Sequence, residues 1–308
     1  MTSRQTTLAL FPRLPSCRKM NRSERSPRGG EVPEGQANPL AWHEENGHGI
    51  SMSNLRGLGH DDDAAREPLG RTLAVAGAPT CVIVPAFQAS HSIRSVVDDL
   101  LETLACDPGA LIVVDDGSTD GTADRAREAG VSVVVCSRNR GKGGALVRGL
   151  EEARALGFRV ALTVDADGQH PASSAAELLT ASDDPRALVL GIRDLVRDGA
   201  PGKNRLSNGI SNFFLSRFTG TELHDTQCGL RRYPVTETLA LQARASGYAF
   251  EAEVILRAIA ARLPVVEHEV KVYYPPETER VTHFDSVKDP MRIIATVLHT
   301  LYDLRRAG

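Results

Sequence analysis

Four short apolar runs, separated by stretches with helical periodicity, constrain the fold of this chain more than any other feature. The runs read CVIVPAF, LIVVDDGS, VSVVVCS and FRVALTVDADG, and between them the sequence predicts helices near residues 91–105, 120–129 and 142–156. Runs that are apolar at almost every position are typical of parallel strands that helices cover on both faces. We therefore predict an α/β fold: a single domain on a Rossmann-like, mostly parallel sheet with helices on both faces.

The second half of the chain has a less regular pattern. NRLSNGISNFFLSRFTG and GYAFEAEVILRAIAARL predict amphipathic helices, DTQCGLRRYP predicts a loop that returns to the sheet, and PVVEHEVKVYY predicts a strand. The apolar side of the first helix would carry Leu206, Ile210, Phe213, Phe214 and Phe218.

The two ends of the chain differ in composition from this middle part. Residues 1–77 are polar and rich in Pro and Gly, and they cannot bury enough apolar surface to offset the entropy of ordering, so we predict a disordered tail. Residues 78–289 would form the domain, and 290–308 a C-terminal amphipathic helix. That helix would either pack on its own domain or lie on a membrane surface. Its apolar positions are Ile294, Val297, Leu298, Leu301 and Leu304.

Composition argues against several classes of protein. A net charge of −3 does not favour a nucleic-acid-binding surface. Five widely spaced cysteines without a C-x-x-C pair indicate reduced thiols rather than a disulfide framework. No apolar run approaches the roughly 18 residues of a spanning helix, and no secretory leader is apparent. We therefore expect a cytoplasmic location.

Polar or turn-forming residues follow each apolar run. Because ligands of open α/β sheets bind at the carboxyl ends of the strands, we expect these residues to line one crevice. They are Pro85, Ala86 and Phe87 after the first run, Asp115 and Asp116 after the second, Ser137, Arg138 and Asn139 after the third, and Asp165 and Asp167 after the fourth.

The pair Asp165 and Asp167 limits what this crevice can bind. Two carboxylates about 4 Å apart repel by roughly 4 kcal/mol at an effective dielectric constant near 20, so such a pair needs a cation, a shared proton or open water. A calcium loop is disfavoured because Gly168 comes too early and Pro171 breaks the loop. An aspartyl phosphatase would place the motif at its first strand, and two turn-forming aspartates at a strand end remain an alternative.

A second acidic segment and a basic turn strengthen the interpretation that Asp165 and Asp167 bind a cation. VVDDGSTDGT adds carboxylates at another strand end, and RNRGKGGAL places Lys142 among glycines at a predicted helix start. Backbone N–H groups at a helix start suit a phosphate. Together these residues could bind a nucleotide sugar and its metal ion.

Six motifs, in order, resemble family 2 glycosyltransferases of the GT-A fold. They are VIVPAFQA, IVVDDGSTDGT, NRGKGGAL, VDADGQH, DTQCGLRRY and GYAFEAEVILRA, and they cover roughly residues 80–275. Within the family the chain is similar to polyprenyl-phosphate and dolichyl-phosphate mannosyl- and glucosyltransferases, in a soluble bacterial subgroup without transmembrane helices. One departure, PAFQA where many relatives have P-x-Y-N-E, leaves the nucleotide base open.

The resemblance implies a role for individual residues. Nucleotide-sugar binding is implied for Pro85, Ala86, Phe87, Asp115, Asp116, Lys142 and Asp165. Binding of Mg²⁺ or Mn²⁺ is implied for Asp167 and Gln169, together with Asp165. Contact with an acceptor phosphate is implied for Arg193, Arg205, Ser207 and Asn208. The catalytic candidates are Asp167, Arg205 and Asp225, with Asp225 as a base if the acceptor were a hydroxyl.

The implied activity is a metal-dependent, inverting transfer of a hexose from a UDP- or GDP-sugar to a lipid-linked acceptor, polyprenyl phosphate, at the inner face of the cell membrane. Two alternatives stay open at this point. One is transfer to a lipid or polysaccharide hydroxyl, and the other is a catalytically silent nucleotide-sugar-binding protein.

Overall fold

A computed structural model describes residues 73–247, 249–274 and 288–307. Its strands are β1 Ala74–Val75, β2 Ala78–Ala86, β3 Leu111–Asp115, β4 Ser132–Val135, β5 Val160–Thr163, β6 Leu188–Arg193, β7 Arg231–Pro234 and β8 Val265–Val270. Its helices are α1 Ile93–Leu104, α2 Thr122–Arg127, α3 Gly141–Ala155, α4 Ala172–Leu179, α5 Gly202–Thr219, α6 Val235–Ala240, α7 Ala249–Ala260 and α8 Lys288–Ala307, with a 3₁₀ turn at Pro108–Ala110.

The strands form one sheet in the order β4-β3-β2-β5-β7-β6-β8, and β1 pairs with β2 as an antiparallel addition. Every neighbouring pair in the main order is parallel except those of β7, which runs antiparallel to β5 and β6. This confirms the predicted mostly parallel sheet. Because β7 runs in reverse, the loop that precedes it reaches the edge where β5 and β6 end.

Helices cover both faces of the sheet, as predicted. Alternate residues of β2 point to opposite faces: Val82 and Val84 pack in the core beneath α1 and α4, while Ile83 packs in the core beneath α3 and α7. Along the central strands both sets are buried, which explains the continuously apolar runs.

The ends of the chain are only partly described. Residues 1–72 lie outside the described residues, so the disordered tail stays a prediction. The sheet begins at Ala74, a few residues before the predicted boundary at 78. Helix α8 packs against α5 and α7 and buries Ile293 and Val297. In the part of the chain that the structure describes, no helix is both long and apolar enough to cross a membrane.

Helix α5 corrects the predicted apolar side. The residues that it buries are Ser207, Asn208, Ser211, Leu215 and Thr219. Leu206 and Phe213, predicted on the packed side, are 68% and 66% exposed. Phe218, also from the predicted side, does pack against the core, so the prediction is wrong for Leu206 and Phe213 but not for every position.

Candidate active site

Two aspartates at the end of β3 organise the loops around them. The Asp116 carboxylate accepts hydrogen bonds from the Arg140 N–H at 2.9 and 3.1 Å, and Asp115 Oδ1 accepts one from the Ser118 N–H at 2.9 Å. Burial raises the pKa of Asp116, and the Arg140 amide partly offsets that effect. Asp116 therefore holds the turn before α3 against the end of β3.

The turn after β2 is tied to the same loops. Pro85 and the buried Ala86 are the last residues of β2, and Phe87 is the first residue after it. Next to it, the Gln88 side-chain amide donates to Thr119 Oγ1 at 3.2 Å, and Gln88 Oε1 accepts from the Thr119 N–H at 3.0 Å. Gly117 approaches the Arg138–Asn139 backbone so closely, at φ +78°, that a Cβ there would lie 2.9 Å from it. The three loops thus form one wall of a crevice.

Lys142, in the first turn of α3, lies between two carboxylates. Its Nζ is 2.7 Å from Asp165 Oδ1 and 3.0 Å from Glu251 Oε1. Burial opposes ionisation of Asp165, but the Lys142 ammonium outweighs it and lowers the pKa of that carboxyl. Gly229, in the loop before β7, passes so close that a Cβ would collide with Asp165 and Lys142. A larger residue here would have to displace one of these two side chains.

Asp167 is exposed and lies two residues beyond Asp165. Its Oδ1 accepts a hydrogen bond from the Gln169 N–H at 3.0 Å across a turn in which Gly168 has a φ of +72°. Although the side chain is exposed, desolvation in the crevice and then the Asp165 charge raise the pKa of Asp167 to about 6. The two carboxylates therefore carry more negative charge than Lys142 balances.

His170, immediately after this turn, is buried. Its Nδ1 accepts or donates no hydrogen bond within the described residues, and its Nε2 lies 3.9 Å from Cys228 Sγ. Burial lowers the pKa of His170 to about 4, so its imidazole is neutral at physiological pH.

The donor atoms of this crevice suit a hard divalent cation. Asp165, Asp167 and the side-chain amide of Gln169 offer oxygen atoms, which Mg²⁺ and Mn²⁺ prefer. Among the described residues no group of three or more His, Cys, Asp or Glu side chains is arranged to hold a metal by itself. The oxygen atoms of Asp165, Asp167 and Gln169 fit part of the coordination shell of such a cation.

Arg193 and Asp225 form a buried pair at the end of β6. Arg193 Nε donates to Asp225 Oδ2 at 2.6 Å and Nη2 to Oδ1 at 3.0 Å, and the Arg193 backbone N–H also donates to Oδ2 at 3.2 Å. Burial opposes ionisation of Asp225, but Arg193 outweighs it and lowers the pKa of that carboxyl. Tyr274 OH lies 3.5 Å from Arg193 Nη1. Arg193, the predicted phosphate contact, and Asp225, the predicted base, are thus hydrogen-bonded to each other.

The α5 candidates differ in burial. Ser207 is buried, and its Oγ accepts a hydrogen bond from Gln227 Nε2 at 3.0 Å. Asn208 is also buried, and its Oδ1 accepts no hydrogen bond from the described residues. Arg205 is exposed. Ser207 is thereby linked to the loop that carries Asp225, whereas Arg205 is not.

Sequence reasoning missed the residues that brace the site. Arg231 is fully buried and donates to the carbonyl oxygens of Cys228 at 2.8 Å, Glu251 at 2.9 Å and Thr226 at 2.8 Å. It therefore fixes the loop before β7 to the start of α7. Glu251, Gln227 and Tyr274 were also missed, although DTQCGLRRY and GYAFEAEV contain three of these four residues.

Comparison with known proteins places this geometry in context. A family model described as glycosyl transferase family 2 matches residues 81–236. The chain is 31% identical to a polyprenol monophosphomannose synthase of Mycolicibacterium smegmatis, over 67% of this chain and 79% of the relative. It is 29% identical to a UDP-N-acetylglucosamine–dolichyl-phosphate N-acetylglucosaminyltransferase of Methanococcus voltae, over 63% of this chain and 85% of the relative.

A solved structure is similar in fold. It is the glucosyl-3-phosphoglycerate synthase of Mycobacterium tuberculosis, crystallised with Mn²⁺, UDP and glucosyl-3-phosphoglycerate. The TM-score is 0.57 at 23% identity, over 73% of this chain and 80% of the other. At this identity the likeness shows the fold.

Proposed function

Because the chain belongs to glycosyl transferase family 2, we propose that it transfers a hexose from a nucleoside-diphosphate sugar to polyprenyl phosphate in a metal-dependent, inverting reaction. The observation that carries this proposal is the pair of carboxylates Asp165 and Asp167 beyond the carboxyl end of β5, of which Lys142 pairs with Asp165 alone.

We call the surface formed by Asp115, Asp116, Lys142, Asp165 and Asp167 the donor side. The loops after β2 and β3 would bind the nucleoside, since their carboxylates and backbone groups line one wall of the crevice. Lys142 would face the diphosphate. Asp165, Asp167 and Gln169 would hold Mg²⁺ or Mn²⁺, which when bound stabilises negative charge on the leaving nucleoside diphosphate.

We call Arg193, Arg205, Ser207, Asn208 and Asp225 the acceptor side. A phosphate monoester is already ionised, so one of its oxygens can attack the anomeric carbon without a strong general base. Attack opposite the leaving diphosphate inverts the configuration at that carbon. Arg193 would orient the acceptor phosphate, and Asp225 would hold the Arg193 guanidinium in place.

The pairing of Asp225 weakens the first alternative, a hydroxyl acceptor. A base that deprotonates a hydroxyl works best with a pKa near the working pH. Arg193 lowers the pKa of Asp225, and both carboxylate oxygens already accept hydrogen bonds. Ionised Asp225 is therefore suited to positioning Arg193. The second alternative, a silent binding protein, would not need Asp167 and Gln169 beside Asp165.

The site of action would be the inner face of the cell membrane, where a lipid-linked phosphate is presented. The support is the relatives, which are named for dolichyl-phosphate and polyprenol-phosphate products. The protein would meet this surface peripherally.

A transfer assay with the full chain tests the proposal. UDP-glucose, UDP-N-acetylglucosamine and GDP-mannose would be offered with Mg²⁺, Mn²⁺ or EDTA, and with a short polyprenyl phosphate or the matching polyprenol. We expect a glycosylated polyprenyl phosphate only with metal, and its loss in Asp167→Asn. Asp99→Asn, at an exposed carboxylate on α1, is the matched control.

Each other outcome would favour a different conclusion. A product on polyprenol but not on its phosphate would favour the hydroxyl acceptor. Donor binding with neither hydrolysis nor transfer to any acceptor would favour the silent binding protein.

A further inference from the structure

Glu251 is a buried carboxylate that the proposed reaction does not use. It lies in the first turn of α7 and is 1% exposed. Its Oε1 is 3.0 Å from Lys142 Nζ as an ion pair, and neither of its carboxylate oxygens accepts a hydrogen bond within the described part of the chain. Burying an ionised carboxylate costs several kcal/mol unless a charge compensates it. Its contact with Lys142 therefore requires an explanation beyond packing.

The backbone of Glu251 is held in place independently of its side chain. Arg231, itself fully buried, donates to the Glu251 carbonyl oxygen at 2.9 Å and to carbonyl oxygens of the loop before β7. Gly229 in that loop leaves room for Lys142 and Asp165 to meet. Three elements, α3, α7 and the loop before β7, thus converge on one ammonium group.

The charges around this ammonium do not cancel. Asp165, Asp167 and Glu251 contribute three negative charges when ionised, while Lys142 and the buried Arg231, which interacts with Glu251, contribute two positive charges. The remainder is one negative charge, which favours a cation. Without Glu251 this remainder would disappear, and Lys142 would compensate one of the two predicted metal carboxylates in full.

We propose that Glu251 is a positioning residue that sets the charge of the donor side: by sharing Lys142 with Asp165, it keeps the crevice negative enough to bind a divalent cation. This inference rests on the proposed function. Glu251 acts through Lys142 and touches neither the cation nor the sugar. The protein would therefore bind the cation even in the absence of the nucleotide.

Glu251→Gln should affect the affinity for Mn²⁺ and the affinity for UDP or GDP differently. Glu251→Gln keeps the side-chain volume and removes one negative charge. We expect the affinity for Mn²⁺ alone to fall by about tenfold. The affinity for UDP or GDP in EDTA should stay the same or rise, because the crevice becomes less negative. A merely structural role would weaken both affinities together.

A double variant tests the charge balance itself. Lys142→Met with Glu251→Gln removes one charge of each sign, so the net charge of the crevice matches that of the original protein. We expect its Mn²⁺ affinity to return to within about threefold of the original value, while its nucleotide affinity falls because the ammonium is gone. The double variant also avoids an unpaired buried carboxylate, which Lys142→Met alone would create.

Glu253→Gln is the matched control, because Glu253 lies two residues further along α7 and is also buried. It binds the backbone amides of Arg244 and Ala245 at 2.8 and 2.7 Å and pairs with Arg257 at 2.6 Å, and it has no contact with Lys142 among the interactions of the described residues. We expect a lower melting temperature with both affinities unchanged.

Titration calorimetry with Mn²⁺ alone and with UDP or GDP alone, beside thermal melts, distinguishes the outcomes. If Glu251→Gln lowers both affinities together, or the double variant does not recover Mn²⁺ binding, the inference is wrong. If the unmodified protein binds neither Mn²⁺ nor a nucleoside diphosphate, the proposed function itself fails.

Discussion

The donor side and the acceptor side balance their charges in different ways. On the donor side, aspartates at strand ends bond mainly to backbone amides, and their charge exceeds that of Lys142. On the acceptor side, Arg193 and Asp225 satisfy each other through two side-chain hydrogen bonds. The first surface thus has negative charge left over for a cation, whereas the Arg193–Asp225 pair of the second is neutral before a ligand binds.

This difference indicates how each side would meet its ligand. The donor side is built on the ends of parallel strands, so its geometry follows from the sheet. The acceptor side joins β6 to the loop before β7, and its pair holds only as long as both side chains are present. We therefore expect substitutions in the Arg193–Asp225 pair to cost more stability and those on the donor side to cost more ligand affinity.

The largest effect is expected for Asp225→Asn, which leaves Arg193 buried without its counter-charge. Breaking such a pair costs about 3–5 kcal/mol in the free energy of unfolding at pH 7, measured by urea denaturation. Because Arg193 lowers the pKa of Asp225 below 3.8, this contribution is present above that pH and is lost as the pH falls further. An equally large loss at pH 2 would contradict the electrostatic explanation.

Gly229→Ala should give the next largest effect, this time on the donor side. The added Cβ would push Asp165 and Lys142 apart, with a cost of about 1–3 kcal/mol in stability. Calorimetry should also show weaker binding of Mn²⁺ and UDP or GDP. Gly209→Ala is the control, since a Cβ at this α5 position meets nothing within 4 Å. Unchanged ligand binding in Gly229→Ala would show that the close approach of Gly229 to Asp165 and Lys142 does not affect ligand binding.

A smaller effect should appear in the pH dependence of stability at Asp167. Its pKa is raised to about 6 in the folded protein, so its ionised form opposes folding at higher pH. In EDTA, Asp167→Asn should melt at a higher temperature than the original protein at pH 8. The difference should shrink as the pH falls from 6 towards 4. A difference that does not depend on pH would argue against the charge repulsion.

Arg205→Ala should have the smallest effect of the four. Arg205 is exposed, so its removal should leave the melting temperature unchanged. If it contacts the acceptor phosphate, the KM for polyprenyl phosphate should rise several-fold with an unchanged donor KM. Arg217→Ala, at the other end of the same helix, is the matched control. Equal KM values in both variants would remove Arg205 from the acceptor side.

Much of the donor side could be predicted from the sequence. Continuously apolar runs indicate parallel strands, and parallel strands bring their carboxyl ends to one edge. Asp115, Asp116 and Asp165 were therefore expected to lie around one crevice, and the structure places each of them at or just beyond the end of its strand, while their shared role in binding stays a prediction. The family resemblance is confirmed by the match over residues 81–236.

The sequence alone determined the elements, their order and the edge at which polar residues gather, because these depend on local periodicity and on the rules of parallel sheets. Only the tertiary structure decided that Asp225 bonds to Arg193, that Glu251 shares Lys142, and which face of α5 is buried. Those facts depend on distances between residues far apart in the chain. No local pattern encodes such distances, since they are set by how helices and loops pack on the sheet.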